Sequence, residues 1–243
     1  MSADLIPGES RLGLHGQNAT QLLAPAIQAA IAEAGAILRV ADRLVDVMVG
    51  GGHIYGFGAG HSKAVAEELC SRAGGLRGIT SMNLDDLRTT PRPAHFQLSD
   101  SMPEREPQNG TALLATYAVQ SCDALIIATQ SGRNGAPIEM ARRAREMGVY
   151  TVAVMSREHN AATASRHPEG LRLIDFVDDV IDNHGQLGDA AVALESGDRV
   201  ASTSSVAGLL IAQLLNVTMA QELERRGVAV PVIRSANLDA CER

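Results

Sequence analysis

The chain predicts an α/β protein, a doubly wound parallel sheet sandwiched by helices. Three features predict it. Strand-like apolar runs recur five times, alternating with helical segments. One of them, Ala124–Ala128, reads Ala-Leu-Ile-Ile-Ala with no polar residue, as a strand buried on both faces does. The stretch 51–75, GGHIYGFGAGHSKAVAEELCSRAGG, passes from strand to glycine turn to helix start, the joint from which such sheets are built.

Taken in order, 17–49 carries Leu22, Leu23, Ile27, Ile31, Ile37, Leu38 and Val45 at helical spacing, interrupted by Pro25 and Gly35. This predicts two helices or one kinked helix. The β-branched and aromatic residues of 53–57 make the first strand; Gly56, Gly58 and Gly60 then let the backbone turn, and Ser62 stands at an N-cap or first-turn position. A second strand is read at 76–81. The segment 83–109 holds Pro91, Pro93, Pro103 and Pro107 with little periodicity, as a lid or binding loop does. Helix returns over 111–120, the third strand is Ala124–Ala128, and Thr129 to Pro137 is a polar glycine loop with Pro137 in the first turn of a helix through Met147. Gly148 ends that helix, and the fourth strand is 150–155.

An irregular polar segment at 157–173 precedes a fifth apolar run at 176–181 and the polar turn Asp182, Asn183, His184, Gly185. Residues 190–195 suit one more short strand. Ser202, Thr203, Ser204 and Ser205 cap a long helix to Arg226, closed by Gly227. Linker composition is absent, so one domain is expected over 1–243: a helical segment at 17–50, a core at 51–227 and a tail at 228–243. Ligands of such sheets sit outside the carboxyl ends of the strands, where the two glycine loops and the 182–185 turn all fall.

Composition narrows the partners. A net charge of −7, with no basic cluster beyond Arg142, Arg143 and Arg145, argues against nucleic acid or an anionic membrane. On this reading no run approaches the length of a membrane span and 1–9 lacks a secretory pattern, so a cytoplasmic protein is expected. Cys70, Cys122 and Cys241 form no paired motif, and no metal-ligand pattern occurs; neither a structural metal nor a cofactor is expected. Aromatic residues are only 2% of the chain, too few to stack nucleic-acid bases.

The first glycine turn suits an anion, because a helix N-terminus presents unpaired N–H donors and a positive partial charge. Two nucleotide motifs fail there. A nucleoside-triphosphate loop needs Gly-Lys-Ser/Thr where this chain has Gly60-His61-Ser62-Lys63, and a dinucleotide fingerprint counted from Gly58 needs glycine at Lys63. The glycines could equally serve a tight turn alone.

These residues resemble a known family. GGHIYGFGAGHS followed by AEEL, the loop TQSGRNGAPIE after an apolar strand, and the STSS-capped helix are similar to the sugar isomerase (SIS) domain, over roughly 44–227. SGRN, DNHG with GDA, and SANLD are similar to its stand-alone bacterial sugar isomerase-like subgroup. The resemblance implies a five-stranded parallel, flavodoxin-like sheet, a homodimer or homotetramer with sites shared between subunits, and a sugar phosphate as ligand. It implies that Thr129, Ser131 and Asn134 hold the phosphate. Gln130 lies in the same loop, Gly132 permits close approach, and Arg133 could add a charged contact. Gly60 and Ser62 match the first loop of the family. Without the resemblance, Ser131 and Asn134 read as turn and cap residues.

In phosphoheptose isomerase and N-acetylmuramic acid 6-phosphate etherase a catalytic glutamate lies ten residues after the first-loop serine, where this chain has Arg72. Glu67 and Glu68 stand one turn earlier; at roughly 100° per residue Glu68 points within about 40° of Arg72 and Glu67 about 140° away. Glu68 is the preferred base, the alternative being an ordinary ion pair with Arg72. The zinc-binding histidines of phosphoheptose isomerase have no counterpart over 204–221, which implies metal-free chemistry. His184 and His61 are candidate acids for ring opening, or simply exposed loop histidines. The implied reaction is abstraction of the C2 proton of a hexose or amino-sugar 6-phosphate, the N-acetylglucosamine 6-phosphate class favoured, with isomerisation or β-elimination as outcome. A lyase or dehydratase, and a sensor without catalysis, are the alternatives; a nucleotide-binding module ranks third.

Overall fold

The computed structural model describes residues 7–70, 72–89 and 102–237. Five parallel strands form one sheet: β1 (Ile54–Gly58), β2 (Ile79–Met82), β3 (Ala124–Ala128), β4 (Tyr150–Met155) and β5 (Asp179–Asp182). Their order is β2-β1-β3-β4-β5. The register runs Ile54 beside both Ile79 and Ala124, Ala124 beside Tyr150, and Val152 beside Asp179. The expected doubly wound α/β sheet is the observed one.

All five residues of β3 are buried, and the alternation of its side chains divides the core in two. Ala124, Ile126 and Ala128 join Ile54, Val152, Val154 and Ile181 against α2 (Ala34–Val49), α3 (Lys63–Leu69) and α8 (Thr203–Arg225). Leu125 and Ile127 join Phe57, Ala153 and Met155 against α5 (Pro107–Thr116) and α6 (Gly135–Glu146). Burying a Val, Leu, Ile, Phe or Met side chain stabilises by roughly 1.5–3 kcal/mol, so the apolar pattern is a main contributor to holding both helical layers.

The N-terminal helices are α1 (Pro7–Ala32) and α2, bent by 62° between them. The break falls at Glu33, two residues before Gly35, which lies in the first turn of α2, while Pro25 stays inside α1. Of the proline-bearing segment, residues 90–101 lie outside the description; what flanks them is helical, α4 (Asp86–Thr89) and α5, whose first residue is Pro107. The polar segment after β4 begins with α7 (Arg157–Ala162), capped by the Ser156 hydroxyl accepting from the His159 amide at 3.0 Å. The short extra strand is half of a hairpin, β6 (Val192–Ala193) with β7 (Arg199–Val200), apart from the main sheet.

α8 corrects one expectation. At 23 residues it is long and apolar enough, by length and composition, to cross a membrane. Its length was read from the sequence, but polar Gln213, Asn216 and Thr218 interrupt the apolar run. In the fold it packs against α1, α2 and α3 and supplies Ile211, Leu215 and Met219 to the core. Cys70 is buried and Cys122 exposed, both free; Cys241 is outside the described residues.

Candidate functional site

The strand order places the switch point between β1 and β3: the chain leaves β1 for β2 on one side and returns to β3 on the other. Loops that diverge there leave a crevice at the carboxyl ends of the strands. A cleft of about 460 Å³ occupies it, and His61, Ser62, Thr129, Gln130, Ser131 and Asn134 line it. The two glycine loops therefore meet in one place.

The first loop turns within hard limits. A Cβ on Gly58 would lie 2.3 Å from the Ser62 carbonyl oxygen, so the chain doubles back where only glycine fits. Ser62 precedes α3 with helical torsions, makes no capping bond and lines the cleft. Gly60 supplies a left-handed φ of 57° to the turn but does not line the cleft.

In the second loop the carbonyls are taken up on one side. Those of Gln130, Ser131, Gly132 and Arg133 accept from the Ser156 amide (3.1 Å), the Asn160 side chain (2.8 Å), the Leu173 amide (3.3 Å) and the Arg166 amide (2.8 Å). Among the described residues nothing accepts from the amides of Ser131, Arg133, Asn134 or Gly135. These donors stand at the start of the 12-residue α6, where the helix dipole also favours negative charge. Gly132 has φ 60°, and a Cβ there would come within 2.7 Å of Met155 Cε. The Thr129 hydroxyl accepts from the Gly132 amide at 3.3 Å.

Gln130 accepts from Asn183 at 3.1 Å, and its buried Nε2 has no partner among the described residues. Arg133 does not line the cleft, and its buried Nε is unpartnered among the described residues. Arg166 donates to Asn134 Oδ1 at 3.0 Å. Burial, then the nearby Arg133 and Arg105 cations, hold Arg166 below the usual arginine range. A cationic group thus backs this loop, although only Arg133 was signalled by sequence proximity.

The turn after β5 sends its residues two ways. Asn183 lines the cleft. His184, at φ 49°, faces away, its ring nitrogen 3.2 Å from Glu33 Oε1 at the bend between α1 and α2. Of the expected histidines, His61 is at the cleft and His184 is not, within one chain.

The α3 carboxylates also separate. Glu67 is exposed and pairs with Lys63 at 3.4 Å. Glu68 does not line the cleft; its Oε1 accepts from both Arg72 and Gln213 of α8, while Oε2 has no partner among the described residues. It lies one turn beyond Ala64, which does line the cleft, on the same face of α3 and about 6 Å along the axis.

Sequence reading took Ser202 to Ser205 as a cap and missed their place in the cleft. Ser202, Ser204, Ser205 and Asp189 line it together with the two loops. Asp189 Oδ1 accepts from the Ser204 amide at 2.9 Å and Thr203 Oγ1 at 3.4 Å; Oδ2 accepts from Ser202 Oγ at 2.6 Å and from Ser204 Oγ. The signal in the sequence was the Gly188-Asp189-Ala190 motif some dozen residues before the serine run. Among the described residues no three His, Cys, Asp or Glu side chains come together as a metal site would need.

Similarity to known proteins agrees with this architecture. A UPF0309 protein of Shouchella clausii is 37% identical over 202 residues, 83% of this chain and 81% of its own. One from Streptomyces coelicolor is 35% identical over 215 residues, 85% of this chain and 82% of its own. The solved phosphoheptose isomerase of Neisseria gonorrhoeae superposes with a TM-score of 0.54 at 12% identity, covering 88% of this chain and 98% of that one. A solved Bacteroides fragilis protein, described as a phosphosugar isomerase involved in capsule formation, gives 0.53 at 15% identity, over 88% and 92%. At such identities these structures speak to the fold. The SIS domain model matches residues 17–156, more than half of the chain and both glycine loops, and the chain belongs to the SIS domain family.

Proposed function

We propose that the protein is an enzyme that binds a hexose or amino-sugar 6-phosphate, the N-acetylglucosamine 6-phosphate class favoured, and abstracts its C2 proton. The observation that carries this is the run of amides at the start of α6 with no acceptor among the described residues, two of whose residues, Ser131 and Asn134, line one cleft with Ser62. Phosphate is the anion such a helix start takes best, and the phosphoheptose and phosphosugar isomerases of the same fold are consistent with it.

Thr129, Ser131 and the amides through Gly135 hold the phosphate, Ser62 contacts the sugar, and Arg133 and Arg166 add positive potential behind the loop. His61, at the cleft, donates a proton for ring opening. Glu68 serves as base through its free Oε2, with Arg72 and Gln213 orienting it at Oε1. It takes the C2 proton to give an enediol or, with nitrogen at C2, its amino-sugar equivalent; return of that proton to C1 isomerises the sugar, and loss of the C3 substituent makes the enzyme a lyase or dehydratase. Binding energy from the phosphate positions the distant carbons.

Self-association belongs to the same proposal. Leu23, Ile27 and Ile31 share one face of α1 and, with Leu38 of α2, are half or more exposed. A second copy there forms a homodimer or homotetramer, in which His184 reaches a neighbour's cleft; light scattering of a strict monomer would remove His184 from the site. A sensor without turnover is the second reading, favoured by the place of Glu68 outside the lined surface. The deciding measurement is C2 exchange in deuterium oxide, followed by proton NMR, with N-acetylglucosamine, glucosamine, fructose and heptose phosphates. Loss of the C2 proton signal of one of the aldoses, or of a C1 proton signal of the ketose, is expected; binding with no exchange establishes the sensor, and neither binding nor exchange ends the proposal.

A further inference from the structure

The cleft has two helix starts on its walls, and they are in opposite electrostatic states. At α6 the amides have no partner among the described residues. At the 23-residue α8, the corresponding place is filled from within by the Asp189 carboxylate, which accepts from the Ser204 amide and from the hydroxyls of Ser202, Thr203 and Ser204. Among the described residues lining the cleft, Asp189 is the one acidic side chain, and no arginine or lysine side chain lines it. The chain accepts a left-handed backbone at Asp189, φ 51°, directly after Gly188 at φ 82°, to put the carboxylate there. Four donors hold it, so it has no spare lone pair for a substrate proton, but its charge still faces the ligand.

On the reading of this cleft as a phosphosugar site, we propose that Asp189 is a specificity residue. It selects sugar monophosphates whose end remote from the phosphate is neutral or cationic, a hydroxyl or an ammonium, and rejects those with a second anion there. The α8 dipole cannot rescue a second anion, because an internal carboxylate already uses it. The neutral groups nearby, the Ser205 hydroxyl and the Asn183 amide, suit hydroxyls. A ligand with one anionic end therefore enters in one orientation, phosphate towards α6 and reacting carbons towards α8.

Three ligands of one length test this by calorimetry at fixed ionic strength: glucitol 6-phosphate, its 2-amino-2-deoxy analogue, and 6-phosphogluconate, which carries a carboxylate at C1. The wild-type protein should bind the aldonate about tenfold or more weaker than the alditol, the scale of one partly screened like-charge contact, and the amine at least as tightly as the alditol. In Asp189→Asn the gap between aldonate and alditol should shrink to within about threefold. If that variant does not fold, the wild-type ranking alone still decides. Aldonate binding as tight as alditol binding, or a full gap persisting in folded Asp189→Asn, overturns the proposal. Binding of the alditol and inorganic phosphate with a flat ranking removes the role of Asp189 only; binding of none of them removes the phosphosugar reading and this proposal with it.

Discussion

Two glycines of β1 should respond oppositely to the same change. A Cβ on Gly58 would sit 2.3 Å from the Ser62 carbonyl oxygen, 2.5 Å from its carbon and 2.7 Å from the Lys63 nitrogen, all backbone atoms. A Cβ on Gly56 would have Ala66 as its nearest neighbour, at 3.5 Å, an ordinary contact. Gly58→Ala must therefore push the start of α3 away from β1 by about an ångström, at a cost of about 3 kcal/mol, the upper range for an overpacked core. For a chain of this size each kcal/mol shifts the melting temperature by about 2–4 °C, so a fall of about 6–12 °C is expected. Gly56→Ala should leave it unchanged or raise it slightly, because alanine loses less backbone entropy on folding than glycine. Differential scanning calorimetry on both variants is the assay. Gly58→Ala melting with the wild type, or Gly56→Ala falling as far, would refute the claim that the first loop is held by backbone contact.

Ser131→Ala should weaken binding of an identified sugar phosphate about tenfold or more, the loss of one hydrogen bond to a charged group, without lowering the melting temperature; calorimetric titration checks it. Glu68→Gln should lower C2 exchange by about 10²–10⁴-fold and leave ligand affinity within about threefold, read by NMR and titration on the same preparation. Burial, with Glu67 adding to it, pushes the Cys70 thiol from its usual 9.0 up to about 12. The folded state thus holds that proton more tightly: the stabilisation is complete below pH 9 and is lost as pH rises from there towards 12. The stability advantage of the wild type over Cys70→Ala should accordingly shrink above pH 9 in denaturant titrations, and an advantage that grows with pH would contradict the assignment.

What could be read from the sequence was what depends on local pattern. Ala124–Ala128 and Tyr150–Met155 were legible to the residue because strands covered on both sides carry nothing but apolar side chains at their centres. The second and fifth strands begin about three residues later than their apolar runs, since Leu76 bridges to Val232 instead and Phe176 closes a turn on Leu173. The second glycine loop was visible from its glycines and hydroxyls. Asp189 was not: its part in the cleft depends on a left-handed turn and on a helix that returns to the site after a hairpin, a distance no local pattern encodes. The opposite directions of Asn183 and His184 were likewise invisible, because adjacent residues differ there only in backbone torsion.

The position of α8 in the chain order has a consequence for biosynthesis. Every strand of the sheet leaves the ribosome before Thr203 does, yet Ile211, Leu215 and Met219 are what close one side of it over Ile54, Val152 and Ile181. Until that last helix is translated the nascent sheet is greasy on a face that α2 and α3 can only partly shield, a condition that invites chaperone engagement or co-translational aggregation. Ribosome-stalled chains ending before α8 should consequently remain protease-sensitive and acquire resistance in a single step once it emerges.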